Sequence, residues 1–219
     1  MIRVKYEEFP KRGLMEPGKD GKVGMKLQII PVGVTDFEII EMLKHGVEDF
    51  LATDVRLGGV LECPVYAYDS GRNQYSAEAI LNDLTARGLD DQSGHVLGVV
   101  DCDLYIPDLT FVFGVALGKT ALVSLTRLKQ EFYGLAPDKD LLTKRLLTEA
   151  VHEIGHLYGM RHCFDPECVM FFSHNLNDTD RKGFDFCDKC GELLSRLSKP
   201  RLDIDEDDPR LKPSLNIML

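Results

Sequence analysis

The stretch His152-Glu153-Ile154-Gly155-His156-Leu157-Tyr158-Gly159-Met160-Arg161-His162 gathers three imidazoles and one carboxylate within eleven residues. His152 and His156 stand four apart in a segment of helical periodicity, so both rings leave one helix face about 6 Å apart along the axis. At that separation both can reach one metal ion at ~2.0–2.1 Å. Glu153 lies about 100° further round the helix. It misses direct ligation there but can reach a water on the metal, where a general base is needed. Gly159 can end the helix and let the chain turn sharply, which brings His162 back as a third ligand. Three histidines leave the fourth tetrahedral position to solvent, the pattern of a catalytic rather than a structural zinc site.

A second set of metal-ligating residues begins at the next position. The cysteines are Cys63, Cys102, Cys163, Cys168, Cys187 and Cys190, and the last four fall in a 28-residue window as C-x₄-C and C-x₂-C pairs. In a reducing compartment such a cluster points to metal before disulfides. Four thiolates suit a closed Zn²⁺ site at ~2.3 Å, with iron in an S₄ tetrahedron as the main rival. Because Cys163 follows His162, this site would tie down the loop that carries the third imidazole. Cys63 and Cys102 read as small buried hydrophobes. His45, His95 and His174 have no partner at ligand spacing and read as structural or surface residues, although His174 is close enough in sequence to touch substrate.

These groups need a rigid frame. Lys26 to Val32 (KLQIIPV) reads as a buried strand. Asp36 to Ala52 carries a helical stripe of Phe37, Ile40, Leu43, Val47, Phe50 and Leu51, with Thr35 or Asp36 as cap. A second strand is expected over Val55 to Cys63, weakened by Gly58 and Gly59. A helix follows over Ser76 to Arg87, stopped by Gly88, and a third strand over His95 to Cys102. Phe111 to Ala116 and Ala121 to Leu128 read as a hairpin about Leu117-Gly118-Lys119. The long helix that carries the histidine pair runs from Asp138 to Tyr158. Residues 160–186 read as metal-organised loop, and Cys190 to Leu197 as a short last helix. Residues 1–25 read as an extended lead-in, and Asp203 to Asp208 opens a solvated acidic tail. This order gives an α/β (α+β) chain, a mixed sheet with helices packed against it. Residues 1–159 form a sheet-and-helix part, and residues 160–219 a smaller, zinc-organised part.

Composition narrows the function. The chain has 219 residues, with 26 Lys plus Arg against 36 Asp plus Glu, a formal charge of -10. That balance argues against nucleic acid or an anionic membrane surface as partner. There is no apolar run long enough to span a bilayer, and the first residues lack the apolar core of a signal peptide, so a cytoplasmic location is expected.

The extended H-E-x-x-H-x-x-G-x-x-H motif resembles the metzincin clan of zinc metallopeptidases. Cys163, Cys168-Val169-Met170 and Cys187-Asp188-Lys189-Cys190 make the chain similar to the archaemetzincin (archaelysin) family over roughly residues 152–190. Sixteen residues separate Met170 from Cys187, one fewer than in the family pattern. The resemblance implies a twisted mixed sheet of about five strands with an antiparallel edge strand and a long active-site helix. It implies two Zn²⁺ per chain. One would be catalytic, on His152, His156 and His162, and the other structural, on Cys163, Cys168, Cys187 and Cys190. Glu153 would be general base and acid. Met170, otherwise a core filler, would be the Met-turn residue packed beneath the ligands.

The expected activity is hydrolysis of peptide bonds, by a water on the His₃ zinc, in peptides or unfolded chains. Substrate would lie extended along the edge strand, for which Phe111 to Ala116 is the expected segment. Phe171 and Phe172, after Met170, offer no second donor to the developing oxyanion, which leaves Tyr133 or Tyr158 for that role. The competing reading is a zinc-stabilised peptide-binding protein with weak or vestigial hydrolysis. Attack on a non-peptide amide would use the same chemistry.

Overall fold

The computed structural model describes residues 26–34, 36–51, 54–87 and 94–198. The lead-in, the acidic tail, the Thr35 cap and the Gly88 stop lie outside the described residues. The first strand, β1 (Lys26–Val32), is paired in parallel with β2 (Asp54–Leu57) on one side and with β5 (His95–Val100), the central strand, on the other. Next come β8 (Thr120–Ser124), parallel to β5, and β7 (Gly114–Leu117), antiparallel to β8. The sheet order is β2-β1-β5-β8-β7, so β7 is an edge strand and runs against the other four.

Period-two alternation sends each strand's side chains to two separate cores. Leu27 and Ile29 of β1 and Leu97 and Val99 of β5 face α1 (Phe37–Leu51) and α3 (Lys139–Leu157). Ile30, Val32, Val96 and Val100 face α2 (Ala77–Ala86). The strands are apolar on both faces because helices cover both. Asp36 caps α1 through Oδ1, which accepts from the Glu38 and Ile39 amides, and Ser76 Oγ caps α2 by accepting from Ala79 N. Met160, Val169, Met170, Phe184 and Leu194 from the C-terminal stretch share the α1–α3 core. None of the described helices is long and apolar enough to cross a membrane.

The structure differs from the sequence reading in several places. The second strand ends at Leu57, short of the expected Cys63; Gly58 N still donates to Ile29 O at 2.9 Å, tight against β1 where a Cβ would lie 2.1 Å from Ile30 Cδ1, and the chain meets β1 again at the Val32–Leu61 bridge. The edge strand starts at Gly114 rather than Phe111. Val112 bridges to Leu104, and Phe113 is buried with its carbonyl accepting from Ser124 N, so Phe113 serves the core and not a substrate-facing edge. Within the expected loop 160–186 lies a short helix, α4 (Leu176–Lys182), capped by Asn175 Oδ1, and the last helix, α5 (Asp188–Leu197), begins two residues early. Cys63 is exposed, whereas Cys102 is buried as expected. A small second sheet of β3 (Tyr68–Asp69), β4 (Gln74–Ser76) and β6 (Leu104–Tyr105) was not foreseen.

Candidate active site and metal centres

Helix α3 starts where Asp138 Oδ1 accepts from Leu141 N and stops after Leu157, with Gly159 at φ +85°. That left-handed residue suits glycine, and it turns the chain so that His162 comes back toward the helix. The three imidazoles converge: His156 Nε2 lies 3.2 Å from His152 Nε2 and 3.2 Å from His162 Nε2. Their opposite edges are fixed. His152 Nδ1–H donates to Val169 O at 2.7 Å, and His156 Nδ1–H donates to Met160 O at 2.8 Å. A carbonyl only accepts, so the proton of each neutral ring sits on Nδ1 and the Nε2 lone pairs face one another. A cation between them would relieve the repulsion of lone pairs held this close. Metal–N bonds of ~2.0–2.1 Å at the tetrahedral angle place nitrogens about 3.3 Å apart, so the donor set fits zinc.

Burial keeps these rings neutral. It is the main reason that the pKa of His152 falls well below, and that of His156 below, the usual histidine value. Burial, with His156 and Lys182 near, takes His162 down to about 3. Glu153 is buried beside them on the same cleft, and its Oε2 has no hydrogen-bond partner among the described residues. Burial, helped by Glu149, pushes its pKa well above the usual carboxylate range. Its other oxygen lies against β7: a Cβ at Gly114 would come within 2.6 Å of Glu153 Oε1 and 2.8 Å of Leu122 O. Gly114 therefore makes room for the carboxylate.

Behind His152 is a charged group that the sequence reading missed. Lys182, in the last turn of α4, is fully buried and donates to Glu149 Oε2 at 3.2 Å and to Phe171 O at 3.1 Å. Glu149 is buried one helical turn before His152 and also accepts from Thr179 Oγ1 at 2.6 Å and Ser173 Oγ at 3.1 Å. Glu149 could have been suspected, being three residues from His152 on the same helix. Nothing in the sequence marks Lys182, which reads as a surface residue.

Met170 is fully buried under the same helix. A Cβ at Gly155 would lie 2.4 Å from Met170 Sδ, so the thioether occupies the gap that glycine leaves between the two helical histidines. The four cysteines also come together, their sulfurs all within 4.8 Å of one another and Cys163 Sγ 3.9 Å from Cys187 Sγ. Zn–S bonds of ~2.3 Å imply S···S edges of about 3.8 Å. Donation from Cys190, with backbone N–H groups, lowers the Cys168 thiol to about 5. The same hydrogen bond raises Cys190, and burial raises Cys163 to about 11. The Cys163 amide donates to Met170 O at 2.8 Å, so this cluster and the histidine site share one backbone segment.

The histidine cleft, about 50 Å³, is walled by Ile106, Leu109, Val112, Gly114 to Ala116 of the edge strand, and Phe172. Phe172 packs edge-on to His162, with ring centroids 5.0 Å apart, and the His174 ring follows at 4.8 Å from Phe172. Neither tyrosine considered as an oxyanion donor lines the cleft. Tyr133 OH donates to Arg127 O at 3.1 Å, and Tyr158 has a buried hydroxyl with no partner among the described residues. Of the remaining histidines, His45 faces Glu48 on α1 at 3.4 Å.

Comparison with known proteins agrees with this geometry. The family model "Peptidase family M54" matches residues 38–196. The archaemetzincin of Methanocaldococcus jannaschii is 43% identical over 172 residues, covering 78% of this chain and 93% of the relative. That of Pyrococcus furiosus is 40% identical with the same coverage. Among solved structures, the archaemetzincin of Methanopyrus kandleri superposes with TM-score 0.67 at 36% identity, over 79% of this chain and 95% of the other. A zinc-dependent peptidase from Methanocorpusculum labreanum gives TM-score 0.71 at 31% identity, over 77% and 99%. With the match to the family model spanning most of the length and the same fold in solved relatives, this chain belongs to the archaemetzincins, peptidase family M54.

Proposed function

We propose that the chain hydrolyses peptide bonds at the histidine cleft, with His152, His156 and His162 holding a catalytic zinc and Glu153 acting as general base and then general acid. One observation carries the reading: three Nε2 atoms 3.2 Å from their neighbours, two of them with their Nδ1 protons held by carbonyls, open onto the cleft that Glu153 lines. A zinc ion bound there would supply Lewis acidity, lowering the pKa of water toward ~7 and polarising the scissile carbonyl. Glu153 takes the proton of the attacking water. Its carboxyl, buried against β7, then holds that proton and passes it to the leaving amine. The edge strand β7 offers its free edge to an extended peptide, and Phe172 contributes to the cleft wall.

Cys163, Cys168, Cys187 and Cys190 would hold a second, structural zinc. Its work is mechanical, because the segment it ties carries both Val169 O, which orients His152, and Met170. Cysteine-to-serine changes at Cys168 or Cys190 should lower zinc retention at the histidine site as well, and metal analysis after dialysis against a chelator checks this. The deciding experiment is zinc analysis with a peptide-library cleavage assay on wild type and Glu153→Ala. The expected result is two zinc ions in both proteins and cleavage reduced by ~10²–10⁴-fold in the variant. Equal cleavage by both would end this assignment. A peptide-binding protein with vestigial hydrolysis is the second reading, favoured by the lack of a hydroxyl donor among the described residues that line the cleft, and it requires peptide affinity without turnover in wild type.

A further inference from the structure

Two non-glycine residues among those described have positive φ, Asn73 at 54° and Asp108 at 70°, and they lie on opposite sides of one hydrogen-bond network. Asp108 sits in the turn closed by Leu109 N donating to Ile106 O at 3.3 Å, at the third position, where glycine or asparagine is favoured. That turn opens the rim of the histidine cleft, to which Ile106, Leu109 and Val112 contribute side chains. A strained turn at a cleft mouth keeps its shape only if its surroundings hold it.

The holding groups come from the small sheet. Gln74 on β4 is buried, and its amide is fully used: Oε1 accepts from Arg72 Nε at 3.1 Å, while Nε2 donates to Thr110 O at 2.9 Å and to Asp103 Oδ2 at 3.1 Å. Arg72 Nη2 donates to Leu109 O at 2.9 Å and Thr110 O at 3.3 Å. Asp103 continues the network to Arg127, whose guanidinium lies 4.2 Å over the Phe111 ring. At the base, Val112 N donates to Leu104 O of β6 at 3.0 Å. The backbone or ring of every residue from 109 to 112 is thus held by a group that does not line the histidine cleft or by β6.

We propose that Gln74, oriented by Arg72, is a positioning residue for substrate: it fixes the 106–112 rim so that the cleft beside β7 is already shaped for an extended peptide. This rests on the reading of the cleft as a peptidase site. A rim that is set in advance spares the bound peptide the cost of ordering it, so the effect belongs in binding rather than in the chemical step. In a cleft of about 50 Å³, a small rim displacement changes what can enter.

The test uses zinc-loaded full-length protein, with Gln74→Met (similar length, no hydrogen bonds) and the solvent-exposed Arg72→Ala as a variant that folds more safely. Hydrogen exchange of the 106–112 amides, zinc content, kcat and KM on a cleaved peptide, and Kd for a short peptide hydroxamate are measured together. The expected result is faster exchange in 106–112, unchanged zinc, kcat within about twofold, and KM and hydroxamate Kd raised about five- to tenfold, the size of one or two lost hydrogen bonds. Faster exchange with unchanged KM and Kd overturns the positioning role. Unchanged exchange overturns the clamp, and loss of zinc together with kcat shows that the network serves the metal site instead. If wild type cleaves no peptide, the peptidase reading fails, yet the hydroxamate arm still decides whether the rim is set by Gln74.

Discussion

At the scale of single residues, the site depends on two glycines as much as on its ligands. Gly114 and Gly155 each leave a space that a functional side chain fills, the Glu153 carboxyl in one case and the Met170 thioether in the other. Gly114→Ala would set a methyl 2.6 Å from Glu153 Oε1, with backbone at Leu122 O blocking retreat. Displacement of order 1 Å in a catalytic group costs ~10²-fold in rate. Gly114→Ala should therefore lower kcat by one to two orders of magnitude while zinc analysis matches wild type; an unchanged kcat would show that the carboxyl has room to move. The convergence of the imidazoles was legible in the sequence because spacing along a helix dictates which face a side chain leaves. Gly114 was not, since its importance comes from a strand and a helix that lie 39 residues apart in the chain.

At the scale of elements, the buried Lys182–Glu149 pair joins α4 to the active-site helix and, through Phe171 O, to the segment after Met170. Removing one partner of a buried ion pair leaves an uncompensated charge and costs ~3–5 kcal/mol. Lys182→Met should lose about that much in urea unfolding, and the double change Lys182→Met with Glu149→Gln should recover most of it; equal losses in both would mean that packing, not charge, is what Lys182 supplies. Element reading from sequence succeeded where hydrophobic periodicity was long and capped, as in α1, α2, α3 and β1. It failed for β3, β4 and β6, whose two or three residues are too few to carry a period. It also failed for α4, whose seven residues are nearly all polar and which holds its place through Thr179 and Lys182 on Glu149 rather than through an apolar stripe.

For the whole molecule, one of the two cores joins the sheet, helix α3 and the C-terminal stretch, so the histidine cluster is buried in the same unit that holds the fold together. The histidine pKa values are lowered by folding, and His162 is taken down to about 3. The unfolded chain binds more protons below the ordinary histidine value of ~6.5, so the rings contribute stability that is present above that pH and lost as pH falls toward 3. Glu153 acts with the opposite sign above its ordinary range, one carboxyl against three imidazoles. The metal-free protein should thus lose stability progressively from about pH 6.5 downward, as read by thermal unfolding across that window, and a flat profile between pH 7 and 4 would contradict the buried, neutral histidine cluster. There is a further consequence of how the first two rings are oriented. The acceptors at Met160 and Val169 are main-chain oxygens, present whatever side chain stands at those positions. Proton placement on His152 and His156 is therefore insulated from point substitution at Met160 and Val169; it answers to the path of the chain and, at His152, to Lys182 Nζ 3.4 Å from Nδ1.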